Sequence, residues 1–295
     1  MIAPTSENRN LISDSRRWAG FVPRPGDIVV ATPPKNGTTW MQTIVTTLLF
    51  PDGAPGPVFE VAPWLEARWS PVEEVLARLE AQTHRRQIKT HSPADAIPRF
   101  DGTSYLVVGR DGRDACMSFL NHLANIQPAL MQQLAASAAT DGIPMGDGDG
   151  PPPVDDVHEF FDWYVGGGAQ LDIVSSWWAL REQPNVLLVH YDDLRADLDG
   201  EMRRVAAFLD IPVDEGRWPE LVAACTFEGM KARADEIADF ETHFVGGADT
   251  FLYKGTNGRW HDVLTPDELA RYDATVAARI TPECAAWLAG RTDVR

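Results

Sequence analysis

Three short apolar runs constrain the fold of this chain more than any other feature. Residues 28–31 (IVVA), 105–109 (YLVVG) and 186–190 (VLLVH) do not alternate apolar with polar side chains. Continuous runs of this kind are typical of strands buried on both faces, as in a parallel sheet. Each run is followed by a turn and then by apolar residues at helical spacing. The repeated strand–turn–helix pattern predicts an α/β fold with a central parallel sheet flanked by helices.

Further local patterns complete the predicted architecture. A fourth, shorter strand is predicted at residues 87–90, and Thr38 or Thr39 is the predicted N-cap of the first helix. The segment from about residue 135 to 156 is rich in Gly, Pro and Asp, which predicts a flexible surface loop. Because strand-like and helical segments flank it on both sides, we interpret it as a loop within a single domain of residues 1–295.

The composition excludes several classes of function. The 295 residues carry a net charge of −17, whereas general binding of nucleic acid or anionic membranes needs broad cationic patches. The three cysteines contain no CxxC pair, and no apolar run at the N-terminus resembles a signal peptide. We therefore expect neither a nucleic-acid partner nor a membrane partner, and a reducing, cytoplasmic location.

The loop after the first predicted strand is the first candidate site, since open parallel sheets bind ligands beyond the carboxyl ends of their strands. In residues 32–40 (TPPKNGTTW), Gly37 permits a tight turn that directs backbone N–H groups toward an anion, and Lys35 adds a charge. It is not a Walker A loop, because the lysine precedes the glycine. The pattern predicts a P-loop-like phosphate site, with a purely structural turn as the alternative.

Other strand ends and a loop near the C-terminus supply further candidates. Arg110 leads into a helix that carries Ser118, which indicates a second phosphate site; a surface ion pair is the alternative. Lys89 and His91 lie together at the end of the fourth strand, where the histidine could be a base or only a structural hydrogen-bonding group. Residues 251–260 (FLYKGTNGRW) could close over an anion or form a solvated turn. Three of the four lysines of the chain lie in these motifs.

Together these segments resemble the cytosolic-type sulfotransferases, which use 3′-phosphoadenosine 5′-phosphosulfate as sulfate donor. PPKNGTTW is similar to that family's 5′-phosphosulfate-binding PKSGTTW, and YLVVGRDGRDACMSF is similar to its 3′-phosphate-binding strand and helix. KTH, HYDDLRADLDGEMRRVAAFL, CTFEGMK and LYKGTNGRW also have counterparts in the same order, from about residue 24 to 265. The resemblance implies transfer of a sulfuryl group to the hydroxyl of a small-molecule acceptor such as a phenol or an alcohol.

The resemblance also implies catalytic roles. His91 would be the general base that takes the proton of the acceptor hydroxyl, with Lys89 beside it, and Lys35 would stabilise the leaving phosphate. Sulfuryl transfer has a loose, in-line transition state, so positioning and charge stabilisation dominate and no metal is required. The weaker candidates for the acceptor pocket are Phe21, His122 and His243.

The donor site implied by the resemblance has three parts. The 5′-phosphosulfate would be held by Lys35, Asn36, Gly37, Thr38 and Thr39. The 3′-phosphate would be held by Arg110, Ser118, Lys254 and Gly255. The adenosine would be bound by aromatic side chains, namely Trp40 and Phe227 on the two faces of the adenine, with Tyr191 and Phe251 nearby.

Two positions depart from the family's pattern. Asn36 stands where the family usually has a serine that restrains the catalytic lysine, which puts this restraint in question. Tyr253 replaces the arginine that usually precedes Lys-Gly and removes a cation from the 3′-phosphate site, a loss for which Arg259 or Arg113 could compensate. The family's dimerisation motif would fall near residues 261–270, where HDVLTP fits it poorly, so the oligomeric state stays open.

Two other functions compete with this hypothesis. A nucleotide-dependent kinase would need a Walker lysine and an aspartate at a strand end for magnesium; the lysine is misplaced, and residues 192–193 alone support this alternative weakly. A catalytically inactive protein that binds adenosine 3′,5′-bisphosphate is suggested by the same two departures, although His91 and Lys35 are both present.

Overall fold

A parallel sheet lies at the centre of the fold. In the computed structural model, which describes residues 1–143, 152 and 154–290, four strands form one sheet in the order β2-β1-β3-β4. All three strand pairs are parallel. The strands are β1 (Ile28–Ala31), β2 (Gln87–Thr90), β3 (Ser104–Gly109) and β4 (Val186–His190). The α/β prediction is therefore confirmed, and only β3 departs from its predicted bounds, beginning one residue earlier.

Helices connect the strands and cover the sheet. Within the described residues they are α1 (Thr38–Leu49), α2 (Val58–Val61), α3 (Val72–Ala81), α4 (Gly112–Ala124), α5 (Pro128–Ala138), α6 (Val157–Gly167), α7 (Ala169–Trp178), α8 (Tyr191–Ala196), α9 (Leu198–Phe208), α10 (Trp218–Cys225), α11 (Phe227–Ala232), α12 (Gly247–Phe251), α13 (Pro266–Arg279) and α14 (Pro282–Leu288). Short 3₁₀ helices lie at Ser15–Gly20, Glu215–Arg217 and Ala234–Glu236.

Strand β1, which lies between β2 and β3, is buried on both faces, and this burial explains its continuous apolar run. Ile28 and Val30 pack in one core cluster with side chains of α1, α9 and α10. Val29 and Ala31 point to the other face and pack in a second cluster with α3 and α7. Burial of a Val or Ile side chain contributes roughly 1.5–3 kcal/mol. A polar residue at any of these positions would lose this contribution. The strand therefore does not alternate apolar and polar residues.

The first helix begins differently from the prediction. Its N-cap is Gly37, at φ 104° and without a side-chain cap, so the expectation of a threonine cap at Thr38 or Thr39 is wrong. Thr38 already lies in the helix, and its hydroxyl instead pairs with the hydroxyl of Thr32 below the loop. A left-handed backbone at the cap position favours glycine, because a Cβ would be strained there.

The predicted loop at residues 135–156 is only partly a loop. Residues 135–138 form the last turn of α5, where Leu134 and Ala138 are buried, so the start of the prediction was wrong. Alanine has a high helix propensity, and burial of this face extends the helix beyond the point expected from composition. Asp156 is the N-cap of α6. Residues 144–151 and 153 lie outside the described residues.

A buried ion pair joins the amino ends of β1 and β2. Arg86 donates from Nη2 to Asp27 Oδ2 at 2.6 Å and from Nε to Asp27 Oδ1 at 2.8 Å. The side chains are 2% and 1% exposed, respectively. Arg86 also donates to the carbonyl oxygen of Val22 at 2.8 Å, and its guanidinium carbon lies 4.9 Å from the Phe21 ring centroid. These contacts hold the chain at the edge of the sheet opposite the loop of residues 32–37.

We expect Asp27→Ala to lower the free energy of unfolding by about 3–5 kcal/mol, because it leaves a buried guanidinium without its counter-charge. Urea denaturation measures this loss. The matched control is Asp52→Ala, which removes an exposed partner of Arg217 at 2.9 Å and should leave the free energy of unfolding nearly unchanged. Equal losses for the two variants would contradict a structural role for the buried pair.

Candidate active site

Four chain segments converge at the carboxyl edge of the sheet. Thr32 follows β1, His91 follows β2, Arg110 follows β3 and Tyr191 follows β4. The strands are parallel, and the last residues of β1 and β2 are paired, as are those of β3 and β4, whereas β3 extends two residues beyond its pairing with the end of β1. The four segments therefore leave the sheet at the same edge. The register therefore brings together segments that are far apart in the sequence.

The loop after β1 has an unusual backbone that forms a concave surface. Lys35 has φ 64° and Gly37 has φ 104°, on either side of Asn36. A left-handed lysine costs free energy and is common at functional sites. A Cβ on Gly37 would lie 3.0 Å from Tyr191 Cδ2, so a side chain is also excluded by space. The loop ends at the amino terminus of α1, where backbone N–H groups are free to bind an anion.

Asn36 supports the loop from within. Its side chain is fully buried; its Nδ2 donates to the Pro34 carbonyl oxygen at 2.9 Å. Its Oδ1 accepts from Gln170 Nε2 at 3.2 Å. Both amide atoms of Asn36 are thus used inside the loop and its support.

The ammonium group of Lys35 lies among aromatic side chains. Its Nζ is 3.5 Å from His122 Nδ1 and 4.5 Å from the Phe251 ring centroid. Lys89 Nζ lies 4.3 Å from the Trp64 ring centroid. Burial lowers the pKa of Lys35 to about 7, with further contributions from Lys89 and two arginines. Burial likewise lowers the pKa of Lys89 to about 7.

The cations at this edge have carboxylates in their neighbourhood but form no ion pair with them. The charge of Glu66 offsets part of the lowering of the Lys89 pKa, and the charge of Asp114 offsets part of the lowering of the Arg259 pKa. None of the ion pairs within 4.0 Å in the described part of the chain includes Lys35, Lys89, Arg110 or Arg259. Arg110 is only 4% exposed and donates to neutral oxygens alone. Buried cations are normally paired, so this arrangement is suited to an anionic ligand.

His91 is oriented as a proton acceptor. Its Nδ1 lies 2.6 Å from the carbonyl oxygen of Thr32, and the side chain is buried. A carbonyl oxygen can only accept, so Nδ1 carries the proton and Nε2 of the neutral ring is free to accept another. Burial and the charge of Lys89 hold the pKa of His91 well below 6.5. At pH 7 the imidazole is therefore neutral.

Glu66 is a functional residue that sequence reasoning missed. It is fully buried; its Oε1 accepts from Thr90 Oγ1 at 2.7 Å and from Trp18 Nε1 at 2.9 Å. Its Oε2 accepts from Trp64 Nε1 at 3.0 Å and from the backbone N–H of His91 at 3.1 Å. One carboxylate thus holds the end of β2, the backbone of the candidate base and a tryptophan beside it. The only sequence signal was an isolated acid between two tryptophans.

The loop of residues 251–260 folds onto Arg110. Arg110 donates from Nη2 to Asn257 Oδ1 at 2.6 Å and to the Thr256 carbonyl oxygen at 3.1 Å. Its guanidinium carbon stacks 4.2 Å from the Tyr191 ring centroid. Gly255 has φ 63°, and a Cβ there would lie 2.7 Å from the Phe227 ring. The structure therefore brings Arg110, Tyr191, Phe227 and Gly255 into one neighbourhood.

The remaining donor-site candidates border the same region. The indole of Trp40 donates to the Cys225 carbonyl oxygen at 2.7 Å and meets the Tyr191 ring edge-on at 5.3 Å. Ser118 and His122 are four residues apart in α4 and share one face of that helix. Lys254 is exposed, with its Nζ 4.9 Å from the Tyr253 ring centroid.

The candidates for the acceptor pocket separate into two groups. His122 contacts the Phe251 ring at 5.7 Å and faces Lys35. His243 lies 5.5 Å from Trp69, which in turn contacts Trp64 at 5.2 Å. Trp64 lies 4.7 Å from the His91 ring, so an aromatic wall leads from His243 to the candidate base.

Phe21 does not belong to this region. It packs against Trp18 at 5.2 Å and below the Arg86 guanidinium, in the core near the amino ends of the strands. The structure therefore corrects its assignment to the acceptor pocket. Phe21 is an aromatic residue of the N-terminal segment that packs in the core. Its position in the sequence does not indicate which edge of the sheet it contacts.

Within residues 1–143, 152 and 154–290, no group of three or more His, Cys, Asp or Glu side chains is arranged to hold a metal ion. Over the same residues, no helix combines the length and the apolar character needed to cross a membrane.

Comparison with known sequences places the chain in a family. The model of the sulfotransferase domain matches residues 25–282. A glycolipid sulfotransferase from Mycobacterium bovis (strain BCG / Pasteur 1173P2) is 36% identical, with 95% of this chain and 92% of the relative covered. Sulfotransferase 1A1 from Rattus norvegicus is 26% identical, with 88% of this chain and 87% of the relative covered.

Solved structures share the fold. The mouse sulfotransferase SULT7A1 complexed with PAP matches with a TM-score of 0.70 at 18% identity, covering 97% of this chain and 96% of that one. Retinol dehydratase in a complex with retinol and PAP matches with a TM-score of 0.70 at 20% identity, covering 90% and 84%. The family model spans most of the chain, and the mycobacterial relative is similar over nearly its whole length. This chain is therefore a sulfotransferase and belongs to the sulfotransferase domain family.

Proposed function

We propose that this enzyme uses 3′-phosphoadenosine 5′-phosphosulfate as donor and transfers its sulfuryl group to a hydroxyl of a small-molecule acceptor. The observation that carries the proposal is a group of cations, the half-buried Lys35 and Lys89 and the buried Arg110, that form no ion pair among the described residues and lie beside a neutral imidazole. A donor with phosphate groups at both ends of a nucleoside supplies the missing anions. His91 supplies the base that a hydroxyl acceptor needs.

The residues fit a donor of this kind. The loop around Lys35 and Gly37 would hold the 5′-phosphosulfate at the amino terminus of α1. Arg110, which donates only to neutral oxygens, would hold the 3′-phosphate. The other residues of the donor site would be Asn36, Thr38, Thr39, Trp40, Ser118, Tyr191, Phe227, Phe251, Lys254 and Gly255.

The reaction needs one proton acceptor and one stabilising cation. His91 Nε2 takes the proton of the acceptor hydroxyl as its oxygen bonds to sulfur, while the bond between sulfur and the phosphate oxygen breaks. The ammonium of Lys35 stabilises the charge on that oxygen, and Lys89 keeps the neighbouring imidazole neutral. The products are a sulfate ester and adenosine 3′,5′-bisphosphate, and the proton leaves His91 for solvent.

The acceptor pocket would lie on the aromatic wall beside His91. Trp64 and Trp69 present flat apolar faces, and His122 and His243 present imidazoles, around the candidate base. The mycobacterial relative is named a glycolipid sulfotransferase. We therefore place a hydroxyl of a glycolipid beside phenols, alcohols and sterols among the acceptors to be assayed. Aromatic faces of this kind suit a sugar ring as well as a phenol.

The two competing functions fit the structure less well. A kinase would need Asp192 for magnesium, but its carboxylate is buried and accepts from the Asn257 amide. A protein without catalysis would not need a neutral His91 oriented by Thr32.

The three cysteines are buried free thiols, which supports a reducing, cytoplasmic location.

Adenosine 3′,5′-bisphosphate should raise the melting temperature of the protein by several degrees, because a ligand at 100 times its Kd stabilises by about 2.7 kcal/mol. ATP with magnesium should have a much smaller effect, since the site has charges for a 3′-phosphate. Differential scanning fluorimetry measures both. Stabilisation by ATP with magnesium alone would reject the donor and favour the kinase.

His91→Ala should lower the rate of sulfate transfer by about 10²–10⁴-fold while binding of adenosine 3′,5′-bisphosphate stays within about two-fold. The variant loses the proton acceptor, whereas its backbone contact with Glu66 remains. The matched control is His158→Ala, at a half-exposed histidine paired with Glu268. Transfer by His91→Ala at the parent rate would show that another group is the base.

Binding of adenosine 3′,5′-bisphosphate should take up about one to two protons at pH 8. Lys35 and Lys89, each with a pKa of about 7, are largely neutral at pH 8, and bound phosphate raises both values. Affinity therefore falls as the pH rises above 7. Titration calorimetry in buffers of different ionisation enthalpy measures the uptake.

Lys35→Met should reduce this proton uptake by about one. Lys231→Met, which removes a lysine already paired with Asp249 at 2.9 Å, should leave it unchanged. Uptake that is the same in Lys35→Met and in the parent would contradict the assignment of a neutral Lys35 in the free enzyme.

A further inference from the structure

Arg259 has a hydrogen-bond donor that no described residue satisfies. Its Nε is buried and has no hydrogen-bond partner among the described residues. Its guanidinium carbon lies 5.7 Å from the Tyr253 ring centroid. A buried guanidinium nitrogen without a partner loses its hydration and gains nothing in return, so its position needs a reason.

The charged groups near Arg259 indicate where its side chain lies. Burial lowers its pKa, and the nearby charge of Arg110 lowers it further. Arg259 in turn contributes to the lowered pKa of Lys35. The nearby carboxylate of Asp114 accepts from the backbone N–H of Gly258 at 2.6 Å. Arg259 therefore lies near the other cations of the proposed donor site.

Arg113 cannot provide the same charge. It donates from Nε to Asp111 Oδ1 at 2.9 Å and from Nη2 to Asp111 Oδ2 at 2.5 Å. Its guanidinium carbon also lies 4.3 Å from the Trp260 ring centroid. This bidentate pair uses the guanidinium, so of the two arginines that could replace a missing cation only Arg259 is available.

We propose that Arg259 binds the 3′-phosphate of the donor and replaces the cation that is absent at Tyr253. The assignment rests on the proposed function, in which Arg110 holds the same phosphate. Arg110 donates to Thr256 and Asn257, which lie three and two residues before Arg259 in the same loop. A planar guanidinium suits the bidentate recognition of phosphate.

Two nucleotides that differ only in the 3′-phosphate test this role. Arg259→Gln should weaken binding of adenosine 3′,5′-bisphosphate about 10- to 100-fold, the effect of a charge-assisted hydrogen bond. Binding of adenosine 5′-phosphate should change less than about two-fold. Arg259→Lys, which keeps the charge without the planar fork, should fall between the parent and Arg259→Gln. Titration calorimetry measures the affinities of the parent and of both variants for the two nucleotides.

A relocated cation provides an independent test. Tyr253→Arg in the Arg259→Gln background should recover part of the lost affinity for the bisphosphate and none for adenosine 5′-phosphate. The matched control is Arg271→Gln, at an exposed arginine paired with Asp162 at 2.6 Å, which should bind both nucleotides as the parent does. The melting temperature of each variant without ligand verifies that it is folded.

The outcomes separate this inference from the function on which it rests. If Arg259→Gln weakened both nucleotides equally, or neither, Arg259 would not be a 3′-phosphate ligand even though the donor itself stood. If the parent bound neither nucleotide, the proposed donor would be rejected and this inference with it. The parent measurement alone therefore distinguishes the two failures.

Discussion

The parallel register of the sheet requires that its four strands end at the same edge, and the candidate site is a consequence of that geometry. Strand pairing aligns the last residues of β1 and β2, and those of β3 and β4 two residues further along, so the segments that follow them leave the sheet as neighbours. Each contributes a different chemical group: an anion-binding loop, an imidazole, a guanidinium and a phenol ring. The apolar residues that pack the strands on both faces hold this edge rigid. Precise placement at the site is therefore supplied by the core beneath it.

The charges at the carboxyl edge of the sheet destabilise the free protein. Lys35 and Lys89 have lost hydration without forming an ion pair among the described residues, and their lowered pKa values express that cost. The charge of Glu66 offsets only part of this cost at Lys89. The carboxylates of Glu66 and Asp192 also accept hydrogen bonds that hold the surrounding chain in position. Violations of the usual pairing of buried charge are expected where a site is built to bind.

Local patterns predicted much of this arrangement, and their failures have identifiable causes. The strands were predictable because burial on both faces leaves a continuous apolar run. The helix cap at Thr38 or Thr39 was not, since the left-handed turn at Gly37 replaces a side-chain cap. The helical residues 135–138 were missed because burial of Leu134 and Ala138 extends α5 into a segment with the composition of a loop. Phe21 was misplaced because an aromatic side chain carries no sign of which edge of the sheet it will meet.

The sequence by itself determined the fold class, the tight turn of the candidate anion-binding loop and the family of the chain. These depend on short-range order: apolar runs, a glycine at a fixed spacing and motifs in a fixed succession. Only the tertiary structure decided how the groups combine. It showed that Glu66 holds the His91 backbone, that Nδ1 of His91 is occupied by Thr32, and that Arg113 is paired whereas Arg259 Nε is not. The sequence lists an acid, a histidine and two arginines equally. Their partners come from segments many residues away, and long-range packing alone settles which charge is satisfied and which is left for a ligand.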